Sequence, residues 1–165
     1  MRIDTVLSES DVVFDTTKEK YSALAKIAVR LAKRTGIDDK TIRRALLARE
    51  HVGSTGFGKG IAVPHAFLES LAHPIASLTR LTQPIDYGAI DGKPVDLLFT
   101  MLWPSRDMRS FLPTLAHVCR MFRSRTLQEL LRHATTPAAA FATLCFQTEQ
   151  PGPPASTPAT ASSLP

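Results

Sequence analysis

Residues 53–65 read Gly53-Ser54-Thr55-Gly56-Phe57-Gly58-Lys59-Gly60-Ile61-Ala62-Val63-Pro64-His65. Four glycines fall within eight residues, and a short apolar run then leads to one histidine. Glycine has no Cβ, so its backbone N–H can turn toward a guest. A concave run of such N–H groups suits an anion. Ile61-Ala62-Val63 reads as a buried strand, and Pro64 holds Val63 extended. The strand therefore delivers His65 beside an anion pocket. An imidazole with a pKa of about 6.5 is mostly neutral near pH 7, the form able to attack phosphorus. The stretch predicts that His65 accepts a phosphoryl group. The amides and hydroxyls of Ser54 and Thr55 and the backbone of Gly56, Gly58, Lys59 and Gly60 would cradle the anion. Lys59 either adds a charge there or points to solvent.

Other glycine-rich motifs do not fit. Lys59 is followed by Gly60, where a Walker A loop needs Ser or Thr. The run also leads into a strand, not into the helix of a dinucleotide fingerprint.

Upstream, Val12–Phe14 is a short strand candidate. Thr16 with Glu19 forms a capping-box pattern before a helix with Tyr21, Leu24, Ala25, Ala28, Leu31 and Ala32 on one face. Gly36 ends it. Asp38 caps a second helix, burying Ile42, Ala45 and Leu46 and finishing near Glu50. Arg49 then emerges close to the glycine loop, where it can grip a phosphate bidentately or simply complement the helix dipole. Downstream, Ser77–Thr82 is a strand, Asp91-Gly92 a turn, and Val95–Leu102 an apolar run that reads as a strand buried on both faces.

The clearest helix starts at Ser105 or Asp107. Its apolar stripe is Met108, Phe111, Leu112, Leu115, Val118, Cys119 and Phe122. A shorter helix opens at Thr126 with Glu129 as box partner and buries Leu127, Leu130 and Leu131. A last helix has Thr136 as cap and Pro137 first, burying Phe141 and Leu144. Strands interleaved with helices argue an α/β sandwich.

The block Arg49–His65 resembles the active-site signature of enzyme IIA proteins of the mannitol/fructose and nitrogen-regulatory type, from the bacterial phosphoenolpyruvate phosphotransferase system. Gln83-Pro84-Ile85-Asp86-Tyr87-Gly88-Ala89-Ile90-Asp91-Gly92-Lys93-Pro94-Val95-Asp96-Leu97-Leu98-Phe99 resembles the nitrogen-regulatory branch in particular. The similarity runs from about Leu7 to about Leu144. It implies a mixed sheet of about five strands with helices on both faces. It also implies His65 as phosphoryl acceptor and Arg49 as the anion-binding arginine. Three positions depart from the family: Lys59 stands where Asn is common, Ala66 where Gly follows the histidine, and Phe111 where a second active-site histidine is usual.

The implied function is a phosphoryl carrier, not a turnover enzyme, with no metal or bound cofactor. The donor would be a small histidine phosphocarrier protein. The targets would be regulatory partners such as potassium-transport or sensor-kinase components. Two other readings stand beside it. One is a binding regulator that has lost relay chemistry through Phe111. The other is a sugar-specific enzyme IIA that passes phosphate to a IIB domain.

The bulk properties fit this frame. The chain has 165 residues, a net charge of +5 and a pI near 9.6. That length suits one domain, residues 1–147, and the Pro/Ala/Ser/Thr-rich stretch 148–165 reads as a disordered tail. No apolar run approaches the ~18 residues of a membrane span, and the N-terminus has no signal-peptide layout, so the expectation is a cytoplasmic protein with no membrane partner. The basic knots Lys33-Arg34, Arg43-Arg44 and Arg120-Arg123-Arg125 lack any nucleic-acid motif and suit an acidic partner better. Cys119 and Cys145 read as buried small hydrophobes. His51, His73, His117 and His133 read as surface or packing residues, with His117 off the apolar stripe. No nucleophile elbow for a Ser-His-Asp hydrolase is present.

Overall fold

The structure is a computed structural model that describes residues 3–149. Six strands and five α-helices follow one another as β1 (Val12–Asp15), α1 (Lys20–Thr35), α2 (Asp39–Val52), β2 (Gly56–Gly58), β3 (Ile61–Ala62), β4 (His65–Leu68), β5 (Ile75–Ile85), β6 (Val95–Pro104), α3 (Met108–Phe122), α4 (Arg125–His133) and α5 (Pro137–Glu149). The strands form one mixed sheet in the order β1-β5-β6-β3-β2, with β4 also on β6. This is the expected α/β architecture, with one strand more than about five.

β6 organises the sheet. Leu97, Phe99, Met101 and Trp103 project into one core with Phe111, Val118 and Phe122 of α3, Leu127 and Leu131 of α4, and Ala140 and Leu144 of α5. Leu98 and Leu102 project into the other core with Ala23, Ile27 and Leu31 of α1 and Ile42 and Leu46 of α2. The almost unbroken apolar run is the consequence: a strand covered by helices on both faces has no face given over to polar side chains.

β3 and β4 lie end to end along one edge of β6. Ile61 pairs with Leu97 and His65 with Met101, both in parallel register. Register therefore carries through Val63-Pro64 although the ladder breaks there. Proline has no N–H to give, but its carbonyl still accepts from the Met101 amide at 2.9 Å. His65 thus opens a strand; the sequence had suggested it only follows one.

Several local expectations change. Thr16 does not cap α1. Thr17 instead hydrogen-bonds to Asp15, and the helix begins at Lys20. Asp38 does cap α2, accepting from the Thr41 amide at 3.0 Å, but α2 runs on to Val52. Ser124, not Thr126, caps α4. Tyr21, Met108, Leu112 and Leu130 were expected to be buried and are exposed. α5 includes residues 148 and 149, the first two positions of the Pro/Ala/Ser/Thr-rich stretch; the rest of that stretch lies outside the described residues.

Candidate functional site

Arg49 sits in the last turn of α2, and its Nε donates to His65 Nε2 at 2.9 Å. Its Nη1 donates to the Gly53 carbonyl at 2.9 Å, which folds the guanidinium over the start of the glycine segment. On the other side of the ring, His65 Nδ1 lies 2.8 Å from the Val63 carbonyl. A carbonyl can only accept, so Nδ1 carries the proton. Arg49 can only donate, so Nε2 carries the lone pair. Two independent partners select the same neutral tautomer and make Nε2 the nucleophilic atom.

The ring is only 7% exposed. Burial lowers its pKa below the usual 6.5; the Val63 contact opposes this, Arg49 adds to it, and Glu50 opposes it. Phe111 packs against the imidazole with ring centroids 5.1 Å apart. It also meets Phe67 and Trp103 at 4.7 and 5.6 Å. Trp103 Nε1 donates to the Asp107 carbonyl at 3.0 Å and to Ser110 Oγ at 3.1 Å. This ties the start of α3 to the end of β6 and places Phe111 over His65.

Beneath the site lies a buried ionic cluster that the sequence reading missed. Glu50 is 7% exposed and accepts from the Thr55 amide at 3.0 Å, from the Thr55 hydroxyl and from Tyr87 Oη at 3.4 Å. Lys20 Nζ is 2.7 Å from Glu50 Oε1, donates to the Tyr87 carbonyl at 2.8 Å, and stands 4.4 Å from the Tyr87 ring centroid. Burial acts to raise the Glu50 carboxyl, but the Lys20 and Thr55 hydrogen bonds outweigh it and hold Glu50 below the ordinary carboxylate range. Burial beside Glu50 pushes the Tyr87 hydroxyl far up. Glu50 adjoins Arg49, and Tyr87 lies in the second quoted block. The sequence signal was therefore two motifs sharing polar residues, with no pattern linking either to Lys20.

The expected amide cradle is only partly assembled. The Thr55 carbonyl accepts from the Val63 amide at 3.0 Å, while the Thr55 hydroxyl donates to Glu50 and Ser54 Oγ to the Tyr87 carbonyl at 3.1 Å. The amides themselves are engaged within the chain: Thr55 with Glu50, Gly56 with Ser54 Oγ, and Lys59 with Asp91 Oδ2 at 2.9 Å. Gly58, Lys59 and Gly60 do not reach the imidazole. They form the turn of the β2–β3 hairpin at the far end of β3, and Ile61 to His65 alone is an advance of roughly 13 Å. The glycines have structural reasons instead. A Cβ at Gly56 would lie 2.9 Å from Ala89, and one at Gly60 would collide with Arg132 and Asp96. Lys59 sits in the left-handed region at φ 59°, a conformation Asn tolerates better than Lys. Phe111 stands in the packed core that its place on the α3 stripe implied.

His117 lies within the expected range of surface or packing residues. It is half-buried, and its Nε2 has no hydrogen-bond partner. Among the described residues no group of three or more His, Cys, Asp or Glu could hold a metal. No described helix is long and apolar enough to cross a membrane.

Comparison with known proteins gives the family and the fold. Residues 5–145 match the family described as phosphoenolpyruvate-dependent sugar phosphotransferase system, EIIA 2. The chain is 39% identical over 123 residues to a nitrogen regulatory protein of Pseudomonas aeruginosa, covering 74% of this chain and 80% of that one. It is 32% identical over 143 residues to one of Bradyrhizobium diazoefficiens, covering 87% and 94%. The crystal structure of the nitrogen regulatory protein IIA-Ntr from Neisseria meningitidis superposes with a TM-score of 0.83 at 26% identity, covering 86% of this chain and 98% of that one.

Proposed function

Because the chain belongs to the enzyme IIA 2 family of the phosphotransferase system, on its nitrogen-regulatory side, we propose that it carries a phosphoryl group on His65 Nε2 and regulates partner proteins through it. The observation that carries this reading is the tautomer. Val63 holds the Nδ1 proton, and Nε2 presents its lone pair to Arg49.

The donor is a phosphohistidine on a small histidine phosphocarrier protein. Its N–P bond breaks as the Nε2–P bond forms, and the donor leaves as a neutral imidazole. His65 keeps its Nδ1 proton on the Val63 carbonyl, so no proton need be exchanged with solvent. Arg49 releases Nε2 and takes the phosphoryl oxygens. Catalysis asked of the protein is mostly positioning and charge stabilisation. The targets are regulatory proteins such as potassium-transport or sensor-kinase components, in keeping with the nitrogen-regulatory relatives.

One observation favours a second reading, a binding regulator without relay chemistry. The His65 ring is buried, and Phe111 covers it where the family usually has a second histidine. One assay separates the two. The protein is incubated with phosphoenolpyruvate, enzyme I and the carrier, and acid-labile, base-stable phosphate is measured. The carrier reading expects label on the wild type and none on His65→Ala. Phe111→His should then raise the initial labelling rate. A wild type that takes up no label leaves the binding-regulator reading standing.

A further inference from the structure

β6 separates His65 on β4 from a second polar region on β5, under α1. A cavity of about 390 Å³ opens there, bounded by Asp11, Arg30, Leu31, Lys33, Arg34 and Ser77 among others. Arg34 pairs with Asp11. Arg30 donates to Thr79 Oγ1 at 2.6 Å, and its other terminal nitrogen is 3.7 Å from Asp15. Lys33 is exposed and has no ion pair among the described residues. Asp11 and Asp15 offset Arg34 and Arg30, so Lys33 leaves the surroundings of the cavity one charge positive. At its floor Ser77 is 1% exposed, and its Oγ has no hydrogen-bond partner. The neighbouring hydroxyl of Thr100, Ser77's cross-strand partner, is 0% exposed and likewise unpartnered. A buried hydroxyl left without a partner is a cost that native cores avoid. Apolar residues at these two positions would have extended the second core without it.

We propose that this cavity binds a small, multiply charged oxyanion, a dicarboxylate or a phosphate. Ser77 Oγ donates to one oxygen, and Lys33 with the outer edges of Arg30 and Arg34 balances the charge. The hydroxyl supplies the directional contact and the cations the attraction. The site is independent of His65 and gives the protein a means of sensing a metabolite on a face that the phosphoryl relay does not use.

The test is an amide chemical-shift titration of the full chain with sodium phosphate and with sodium succinate, using sodium chloride at matched ionic strength as reference. Both anions can also perturb Arg49, so the readout is confined to the Arg30, Leu31 and Ser77 amides. Saturable shifts are expected there with at least one anion. Saturation by phosphate alone identifies a phosphate ligand; saturation by succinate identifies a carboxylate one. Ser77→Ala should weaken binding about fivefold, the worth of one hydrogen bond. Lys33→Gln, on the exposed rim, should weaken it about two- to fivefold and flatten its salt dependence. Absence of a saturable shift with either anion overturns the proposal. So does a dissociation constant that neither substitution changes.

Discussion

His65 shows how much one side chain can be set by its neighbours. Its nitrogen roles come from one carbonyl and one guanidinium, and its depressed pKa comes first from burial. A histidine held neutral in the folded state binds fewer protons than in the unfolded chain once the pH falls below about 6.5. Its contribution to stability is therefore complete above that pH and is lost as the pH drops toward the lower folded pKa. Urea unfolding of wild type and His65→Gln should show the wild type losing stability faster between pH 6.5 and 5, and the His65 Hε1 titration should have its midpoint below 6.5. A midpoint at or above 6.5 would contradict the buried neutral ring. His117, whose pKa burial also lowers, is common to both proteins and cancels in the difference.

Among the elements, α1 and α2 meet the glycine segment through one buried ion pair. Lys20 stands at the first position of α1, and Glu50 lies in the last turn of α2. Their side chains are 17% and 3% exposed, so solvent screens the pair weakly. Removing Lys20 leaves a buried carboxylate that Thr55 and Tyr87 satisfy only in part. Lys20→Met should cost about 2–3 kcal/mol at pH 7 in urea denaturation. The deficit should shrink at acid pH, where Glu50 protonates and no longer needs a cation. A deficit that does not change with pH would mean the lysine acts through packing alone. The hairpin turn is a different kind of element. Gly58 and Gly60 have positive φ on either side of Lys59, and its N–H and C=O are held by Asp91 and Arg132.

At the scale of the molecule, that turn is anchored from across the chain. Arg132 of α4 makes two hydrogen bonds to Asp96 of β6, at 2.7 and 2.8 Å, and a third to the Lys59 carbonyl at 2.8 Å. The pair is partly exposed, with side chains 29% and 15% accessible, so its worth is modest. Arg132→Gln should lower stability by about 1 kcal/mol and speed amide exchange in the β2–β3 hairpin more than in β5. Equal changes in both would show that α4 does not specifically brace the turn. The same layer carries Phe111, so the α3–α5 face sets both the lid over His65 and the brace on the hairpin behind it.

The sequence by itself determined what local chemistry controls. The apolar run of β6 had to be buried on both faces, Asp38 had to cap α2, Gly36 had to end α1, and Arg49 had to emerge beside the glycines. These follow from period, capping and conformational freedom, which act over a few residues. Only the tertiary structure decided that the glycine segment is a hairpin in which the Thr55, Gly56 and Lys59 amides are engaged within the chain, and that Gly58–Gly60 lies a strand's length from the imidazole. It alone joined Lys20, Glu50 and Tyr87, set the tautomer of His65, and left Ser77 and Thr100 without partners beneath α1. Each of those outcomes depends on which strand borders β6 and which helix covers it, and pairing between distant segments leaves no periodic trace in the chain.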